Sequence, residues 1–242
     1  DSQWISESVT QEDVIFLEQA SVQCDESDRD RADMLCAVGP VAPWNIIAIT
    51  FTNKAANELK ERLSSMLGPE AQDIWAMTFH SACCRILRRD IERMGYDRSF
   101  TIYDSSDSER VMKDIVIDMG LDDKTFPAKA VLNAISREKD NMTTPAQLLQ
   151  RAEEANDLRL LHIARAYSKY QTRLKENNAL DFDDILLNMN ILLRDNPAAL
   201  EAIAGRFRYI MVDEYQDTNF AQYLILKKLS QFHKNLCVVG DD

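Results

Sequence analysis

The sequence predicts an α/β fold in which a mostly parallel sheet is covered by helices on both faces. From residue 45 onward, short apolar strand patterns alternate with helical patterns, except in one strandless stretch in the middle of the chain. Alternation of this kind is typical of a parallel sheet whose crossover connections are helices. The strandless stretch predicts an all-helical insertion between strands.

The first predicted strand is IIAITF, residues 46–51. The helical pattern after it repeats an apolar residue every four positions and ends at Gly68-Pro69. The residues expected to face inward are Ala55, Leu59, Leu63 and Leu67.

The second predicted strand, DIWAMTF at 73–79, precedes a helix that ends at Gly95, and SFTIYD at 99–104 is a further predicted strand. Towards the end of the chain, FRYIMV at 207–212 is followed by a helix and then by the strand pattern NLCVVGDD. The expected inward residues of the two helices are Cys83, Leu87, Ile91 and Met94, and Ala221, Leu224, Ile225 and Leu229.

Residues 105–178 contain only helix signals. A capping box of Ser106 and Glu109 is expected to begin one helix, which ends at Gly120. Thr144 and Pro145 are expected to cap and begin another. A longer amphipathic helix has Leu160, Ile163, Ala164, Tyr167, Tyr170 and Leu174 on its apolar face.

Composition indicates a globular protein without a membrane span. The 242 residues are 45% apolar, and no apolar run approaches the roughly 18 residues that cross a bilayer. The start of the chain is acidic, unlike a secretory signal, and the five cysteines form no CxxC pair. We therefore expect a cytoplasmic protein with reduced, structural cysteines.

The net charge of −12 is unfavourable for a polyanionic partner. It is concentrated at the N-terminus, where residues 1–42 hold ten acids and two bases; the other 200 residues hold 30 acids and 26 bases. The net charge therefore argues less strongly against a polyanionic partner for the main body of the chain.

The segment YIMVDEYQDTNFAQ, residues 209–222, places carboxylates where a predicted parallel strand ends, which is where such sheets bind ligands. Asp213 could hold Mg²⁺ through its water shell, Glu214 could orient or deprotonate a water, and Gln216 and Asp217 could sense a terminal phosphate. The alternative is a polar loop whose acids lie at a helix N-terminus. This alternative would be favoured if the sequence held only an Asp-Glu pair after the strand.

Several segments, in order, resemble the first motor domain of the UvrD/PcrA/Rep-type superfamily 1 DNA helicases. They are VAPWNIIAITFTNKAANELKERL (motif Ia), TFHSACCRILRRD (motif Ib), LDFDDILL, YIMVDEYQDTNFAQ (motif II) and VVGDD, the opening of motif III. The resemblance runs from about residue 41 to 242. It implies a RecA-like, P-loop-NTPase-type domain interrupted by a helical subdomain.

The resemblance also implies site residues, cofactors and partners. It implies that Asp213 coordinates Mg²⁺ and that Glu214 is the general base. It also implies that Gln216 and Asp217 couple the nucleotide to the DNA and that Asp241 binds the nucleotide. The cofactors are ATP and Mg²⁺, and the partners are single-stranded DNA, single/double-strand junctions and the remaining helicase domains. Expected DNA contacts are Phe51, Thr52, Asn53, Thr78 and His80.

One departure from the family affects function. The family's phosphate loop, GxxxxGK[ST], is expected upstream of motif Ia, but no glycine of this chain precedes a lysine and the first lysine is Lys54. The second motor domain is also missing. We therefore expect the chain to be part of an ATP-dependent 3′–5′ DNA helicase and to be inactive alone; the alternative is a non-catalytic single-stranded-DNA or protein-interaction module.

Two further charged groups have competing interpretations. Arg85, Arg88, Arg89 and Arg93 could lie beside a DNA backbone, but a solvated helix face with ion pairs to Asp90 and Glu92 is the commoner arrangement. For Asp181, Asp183 and Asp184, a metal site competes with helix capping, and the resemblance favours a structural role at a domain junction.

The predicted organisation has three parts. Residues 1–40 form a divergent acidic segment that we do not place. Residues 41–104 and 179–242 form an incomplete RecA-like motor domain, and residues 105–178 form the helical insertion.

Overall fold

The computed structural model describes residues 10–22, 25–36 and 41–241, and the chain divides into two units, residues 1–42 and 43–242. The first unit contains helices α1 (Gln11–Val22) and α2 (Glu26–Cys36). The Arg31 guanidinium lies 3.0 Å from the Asp13 carboxylate and joins the two helices. The sequence patterns did not predict these helices.

In the second unit, strands alternate with helices near its start and near its end. Four helices follow one another in its middle. Its elements are β1 (Ile46–Thr50), α3 (Asn53–Leu67), β2 (Trp75–Thr78), α4 (Phe79–Asp90), β3 (Thr101–Ile102), α5 (Ser105–Asp118), α6 (Ala128–Asp140), α7 (Pro145–Glu154), α8 (Leu158–Glu176), β4 (Ala179–Leu180), α9 (Phe182–Asp195), α10 (Pro197–Arg206), β5 (Tyr209–Val212), α11 (Phe220–Ser230) and β6 (Leu236–Val238).

The main sheet has the strand order β2-β1-β5-β6, and all three pairings are parallel. Ala48 of β1 lies opposite Ala76 of β2 and Met211 of β5. Residues 47–50 of β1 are buried, as expected of a central strand with helices packed against the sheet. The predicted α/β class with a parallel sheet is confirmed.

The strand predicted at SFTIYD is not part of this sheet. Only Thr101 and Ile102 are extended, and they pair in parallel with Ala179 and Leu180 in a separate two-stranded sheet. Both β3 residues are exposed, so they lack the apolar cover that a central parallel strand requires. This small sheet closes the two ends of the helical stretch from α5 to α8.

Two helix predictions need correction. In α3, Leu67 is 53% exposed and the buried residue is Ala56. An α-helix has 3.6 residues per turn, so residues four positions apart differ by about 40° around its axis. After several such steps, Leu67 no longer lies on the same face as Ala55.

The start of α5 is also different from the predicted capping box at Ser106. Asp104 is the N-cap, and its Oδ1 accepts hydrogen bonds from the Ser106 and Asp107 amides at 2.7 and 2.8 Å. The cap predicted at Thr144, with Pro145 at the first helical position, is confirmed.

The apolar interior consists of two clusters. One lies against the main sheet and includes residues of α4, α9, α10 and α11; Leu87, Met189 and Leu192 are fully buried in it. The other lies within the helical stretch and includes Met112, Leu148, Tyr167, Tyr170 and Leu174, each fully buried. The predicted domain boundaries at 104/105 and 178/179 stay a prediction.

A buried ion cluster joins α6 to the start of α9. Lys139 is 1% exposed, and its Nζ lies 2.6 Å from Asp181 Oδ2 and 2.8 Å from Asp184 Oδ1. Asp181 is the N-cap of α9 and forms a capping box with Asp184. The rings of Tyr167 and Tyr170 lie within 6.0 and 5.2 Å of the ammonium.

The charges in this cluster depend on one another. Burial alone would lower the pKa of Lys139, but Asp184 and Asp181 outweigh it, so the pKa is raised and the ammonium stays charged. Burial raises the pKa of Asp184. One buried cation therefore compensates two carboxylates.

The remaining composition-based expectations concern cysteines and membrane spans. Cys36, Cys83, Cys84 and Cys237 are free thiols. Burial raises the pKa of the Cys83 thiol to about 12, so it is an unreactive core side chain. Cys24 lies outside the described residues.

In the part of the chain that the structure describes, no helix is long and apolar enough to cross a bilayer.

The Lys139 cluster gives a stability prediction. Lys139→Met keeps the side-chain volume but leaves two buried carboxylates without a cation, so we expect the free energy of unfolding in urea to fall by about 3–5 kcal/mol. Lys113→Met is the control, since Lys113 forms an exposed ion pair with Glu109; we expect a change below about 0.5 kcal/mol. Equal stability of the two variants would show that the cluster does not hold α9 in place.

Candidate functional site

The predicted site residues lie along one edge of the main sheet. Because all four strands are parallel, their carboxyl ends meet at the same edge, and the register places Thr50 opposite Thr78 and Val212 opposite Val238. The Asp213 amide donates to the Ile49 carbonyl at 3.0 Å, which extends the ladder by one residue. Residues following β1, β2, β5 and β6 therefore share one surface.

Two exposed carboxylates follow β5. The Glu214 amide donates to Asp213 Oδ1 at 3.0 Å. Glu214 has φ 52°, in the left-handed region that non-glycine residues seldom adopt. Such strained conformations concentrate at functional sites, where the surrounding structure holds them.

Gln216 connects the segment after β5 to the segment after β6. Its Nε2 donates to Glu214 Oε2 at 2.6 Å, and its Oε1 accepts from the Asp241 amide at 3.2 Å. Gly240 lies against this amide, and a Cβ at that position would stand 2.5 Å from Gln216 Oε1. A side chain at position 240 would therefore displace the Gln216 side-chain amide from its hydrogen bond with the Asp241 backbone.

The acidic side of the edge contains Asp213, Glu214, Asp217 and Asp241, all exposed. Among the described residues, no three His, Cys, Asp or Glu side chains come close enough together to form a protein-only metal site. Mg²⁺ does not need one, because it usually takes one or two carboxylates together with waters and phosphate oxygens. One oxygen of Asp213 accepts from a backbone amide, so the other could serve such an ion.

The β1–β2 side of the same edge contains a small aromatic pocket of about 220 Å³. The Phe51 and Phe79 rings meet edge to face, with centroids 5.6 Å apart. The structure brings four of the five predicted DNA-contacting residues to this pocket. Its lining consists of Thr50, Phe51, Asn53, Thr78, Phe79, His80, Phe182 and Gln222.

Thr52 and Thr78 also have structural roles. Thr52 is the N-cap of α3, where its hydroxyl accepts from the Ala55 amide at 3.1 Å. Thr78 is the N-cap of α4 and accepts from the Ser81 amide at 3.3 Å. Both helices therefore begin at the pocket, and helix N-termini attract anionic groups.

His80 is a stacked, neutral side chain. Its ring lies on the ring of Phe182, with centroids 3.8 Å apart and an interplanar angle of 19°. Burial lowers the pKa of His80 to about 4. At neutral pH this imidazole can therefore offer a hydrogen bond and a ring face, but no charge.

Phe182 is a site residue that the sequence did not predict. It is 57% exposed although it begins α9 and shares the spacing of the buried residues Ile185, Leu186 and Met189. Helical spacing alone places Phe182 in the core. It projects from the first turn of α9, which only the position of that helix beside His80 reveals.

The aspartates at the start of α9 act as the capping alternative predicts. Asp181 and Asp184 form the capping box and pair with Lys139. Burial raises the pKa of Asp183. These three carboxylates are therefore part of the junction between α6 and α9, and not of the acidic edge after β5.

The four arginines of the predicted basic stripe differ from one another. Arg89 and Arg93 pair with Asp90, as the solvated-face interpretation predicts. Glu92 instead pairs with Arg98, and Arg88 donates to the Phe100 carbonyl and stacks on the Phe100 ring. Arg85 stacks on Trp75.

Comparison with known proteins agrees with this architecture. Residues 30–242 match the family model of the UvrD/REP helicase N-terminal domain. The chain is 48% identical over 211 residues to the ATP-dependent DNA helicase PcrA of Bacillus subtilis, and 48% identical over 201 residues to the protein of that name from Staphylococcus aureus strain Mu50.

These matches cover 87% and 83% of this chain but 28% and 27% of the two relatives. The chain therefore spans about a quarter of the length of these relatives. The parallel sheet flanked by helices is the architecture expected of a RecA-like helicase domain, which confirms that part of the fold prediction. The chain belongs to the UvrD/REP helicase N-terminal domain family.

Proposed function

We propose that this chain is part of an ATP-dependent 3′–5′ DNA helicase, which couples ATP hydrolysis to movement along single-stranded DNA and to duplex unwinding. The observation that carries the proposal is the arrangement of the sheet edge, where carboxylates follow β5 and an aromatic pocket follows β1 and β2. Neighbouring strands lie about 4.8 Å apart, so a nucleotide and a DNA strand would bind within about 15 Å of each other.

We propose that the acidic side of the edge serves the nucleotide. Mg²⁺, when bound, would neutralise charge on the ATP phosphates. Asp213 would hold the ion through its free carboxylate oxygen and water, and Glu214 would accept the proton of the attacking water. Asp241 would face the nucleotide from the segment after β6.

Gln216 and Asp217 would connect the nucleotide to the rest of the edge. Gln216 already contacts the Glu214 carboxylate and the Asp241 backbone. A change at either partner would therefore change the hydrogen bonds of Gln216. Asp217 closes the same short turn, with its amide donating to the Glu214 carbonyl at 3.0 Å.

The aromatic pocket would bind single-stranded DNA, or the single-stranded side of a junction with duplex. Phe51 and Phe182 supply ring faces for bases, and such stacking contributes about 1–3 kcal/mol per base. Asn53, Thr52 and Thr78 supply polar groups at two helix N-termini, which suit phosphates. His80 would hold Phe182 in place and offer a neutral hydrogen-bonding group.

We further propose that residues 41–104 and 179–242 form the motor domain and residues 105–178 its helical insertion, in agreement with the two separate apolar clusters. The other helicase domains of the parent protein would be its partners. The 242-residue chain by itself would not hydrolyse ATP, because no GK[ST] sequence is present to cradle phosphates. A non-catalytic single-stranded-DNA or protein-interaction module is the alternative.

DNA binding is tested with the Phe182→Ala variant. Loss of one stacked base should weaken binding of a fluorescent oligothymidylate about tenfold at low salt, measured by anisotropy. Phe232→Ala is the matched control, because Phe232 is similarly exposed, at 62%, but lies before β6 at the opposite edge of the sheet.

The residues predicted from the sequence are tested together. The double variant Asn53→Ala/His80→Ala should also bind the oligothymidylate more weakly than the wild-type chain. Unchanged affinity in both Phe182→Ala and the double variant would place DNA binding elsewhere or exclude it.

The protonation state of His80 gives a pH prediction. Its pKa is lowered in the folded chain, so its contribution to stability is present above pH 6.5 and is lost as the pH falls towards 4. Between pH 7 and 5, the wild-type chain should lose about 1–2 kcal/mol more unfolding free energy in urea than His80→Phe, which cannot be protonated. Identical losses would contradict this, because they would mean that the pKa of His80 is the same in the folded and the unfolded chain.

The catalytic prediction concerns ATP turnover by the 242-residue chain with and without single-stranded DNA. We expect no turnover above that of Glu214→Gln, which retains the shape of the side chain but cannot act as a base. Turnover that Glu214→Gln abolishes would contradict the predicted inactivity. It would show that this chain, or two copies of it, completes a phosphate site.

A further inference from the structure

Three arginines converge on a second pocket, at the opposite edge of the main sheet. Trp75 is the first residue of β2, and Arg206 ends α10 just before β5, so both lie at the amino ends of the strands. The Asn45 side chain, just before β1, donates to the Arg206 carbonyl at 2.6 Å and fixes it there. Arg85 and Arg89 reach the same place from α4.

The three side chains border a cavity of about 150 Å³ over the Trp75 ring. The Arg85 guanidinium carbon lies 4.2 Å from the centroid of this ring, and that of Arg206 lies 4.8 Å from it. Both guanidinium groups therefore lie over the ring, a position that leaves an arginine able to donate hydrogen bonds from its edges. With Arg89, they border the cavity with hydrogen-bond donors.

The charge of the cluster is not balanced by the protein. Arg89 pairs with Asp90 at 2.7 Å, whereas Arg85 and Arg206 form no ion pair within residues 41–241. Arg206 Nε is buried and has no hydrogen-bond partner. Burial, followed by the charges of Arg85 and Arg89, lowers the pKa of Arg206. An unpaired donor beside two like charges favours an anion as its partner.

We propose that this pocket, which we call the Trp75 pocket, binds a phosphate group through Arg85, Arg89 and Arg206. Three guanidinium groups from two helices surround one cavity, and a phosphate offers acceptor oxygens in three directions. A carboxylate has a single planar pair of oxygens, which one arginine can satisfy alone. The Trp75 pocket is distinct from the DNA pocket, since β2 runs between them from its first residue to its last.

The phosphate could be free inorganic phosphate or one phosphodiester of a nucleic acid. Both present the same oxygens to the arginines, and they differ in what else they bring to the surface. The alternative without a ligand is that the two stacked arginines only cover the Trp75 ring.

Fluorescence of Trp75 provides the test. Trp4→Phe/Trp44→Phe leaves Trp75 as the sole tryptophan of the 242-residue chain. We expect inorganic phosphate, at constant ionic strength against chloride, to change its emission in a saturable way. Arg206→Gln and Arg85→Gln in this background should each weaken phosphate binding about tenfold. Arg93→Gln, on the same segment but outside the Trp75 pocket, should leave it unchanged.

Two further measurements complete the test. Circular dichroism shows whether Arg206→Gln is folded; if it is not, Arg85→Gln carries the comparison. Competition by an oligonucleotide that lacks terminal phosphates would assign the Trp75 pocket to a nucleic-acid phosphodiester, and its absence would assign it to free phosphate. A phosphate response that is absent, or that is equal in Arg206→Gln, Arg85→Gln and Arg93→Gln, would overturn the proposal.

Discussion

Parallel pairing of the four strands of the main sheet determines where the candidate site lies. It brings residues that are far apart in sequence, after β1, β2, β5 and β6, to one edge of the sheet. Backbone hydrogen bonds between the strands fix the positions of these residues along the strand direction. One of these bonds joins the Asp213 amide to the Ile49 carbonyl. The acidic turn and the residues that follow β1 and β2 are therefore held at defined positions by the backbone.

Phe182 depends on a second constraint, which lies in the helical stretch. The chain leaves the main sheet after β2 and returns to it only at β5, and α9 begins on the way back. Lys139 holds the first turn of α9 through Asp181 and Asp184, and Phe182 stands between those two aspartates. Removing a partner from a buried ion cluster is costly, so this turn has little freedom to move. The helical stretch thus fixes one side of the pocket that lies on the sheet.

The sequence predicted the parts of the fold that periodicity determines. Residues 46–50, 75–78, 209–212 and 236–238 are strands as expected, and the carboxylates after β5 are where a parallel sheet places its ligands. Local rules could not supply three features. SFTIYD has strand composition but pairs with Ala179 and Leu180, partners that lie far along the chain. Phe182 has core spacing but projects into the pocket, and Arg85 follows the charge pattern of Arg89 but contacts Trp75. Each of these three features depends on which helices and strands pack against one another. The residue pattern within a single helix or strand does not contain that information.

We propose that single-stranded DNA binds at the carboxyl edge of the sheet. Amide hydrogen exchange of the chain with and without an oligothymidylate can locate the bound strand, because the method reports binding at each segment without a substitution. We expect slower exchange at residues 50–54, 78–82 and 181–184 when the oligonucleotide is bound. Protection confined to residues 85–89 and 204–207, or no protection at all, would contradict it.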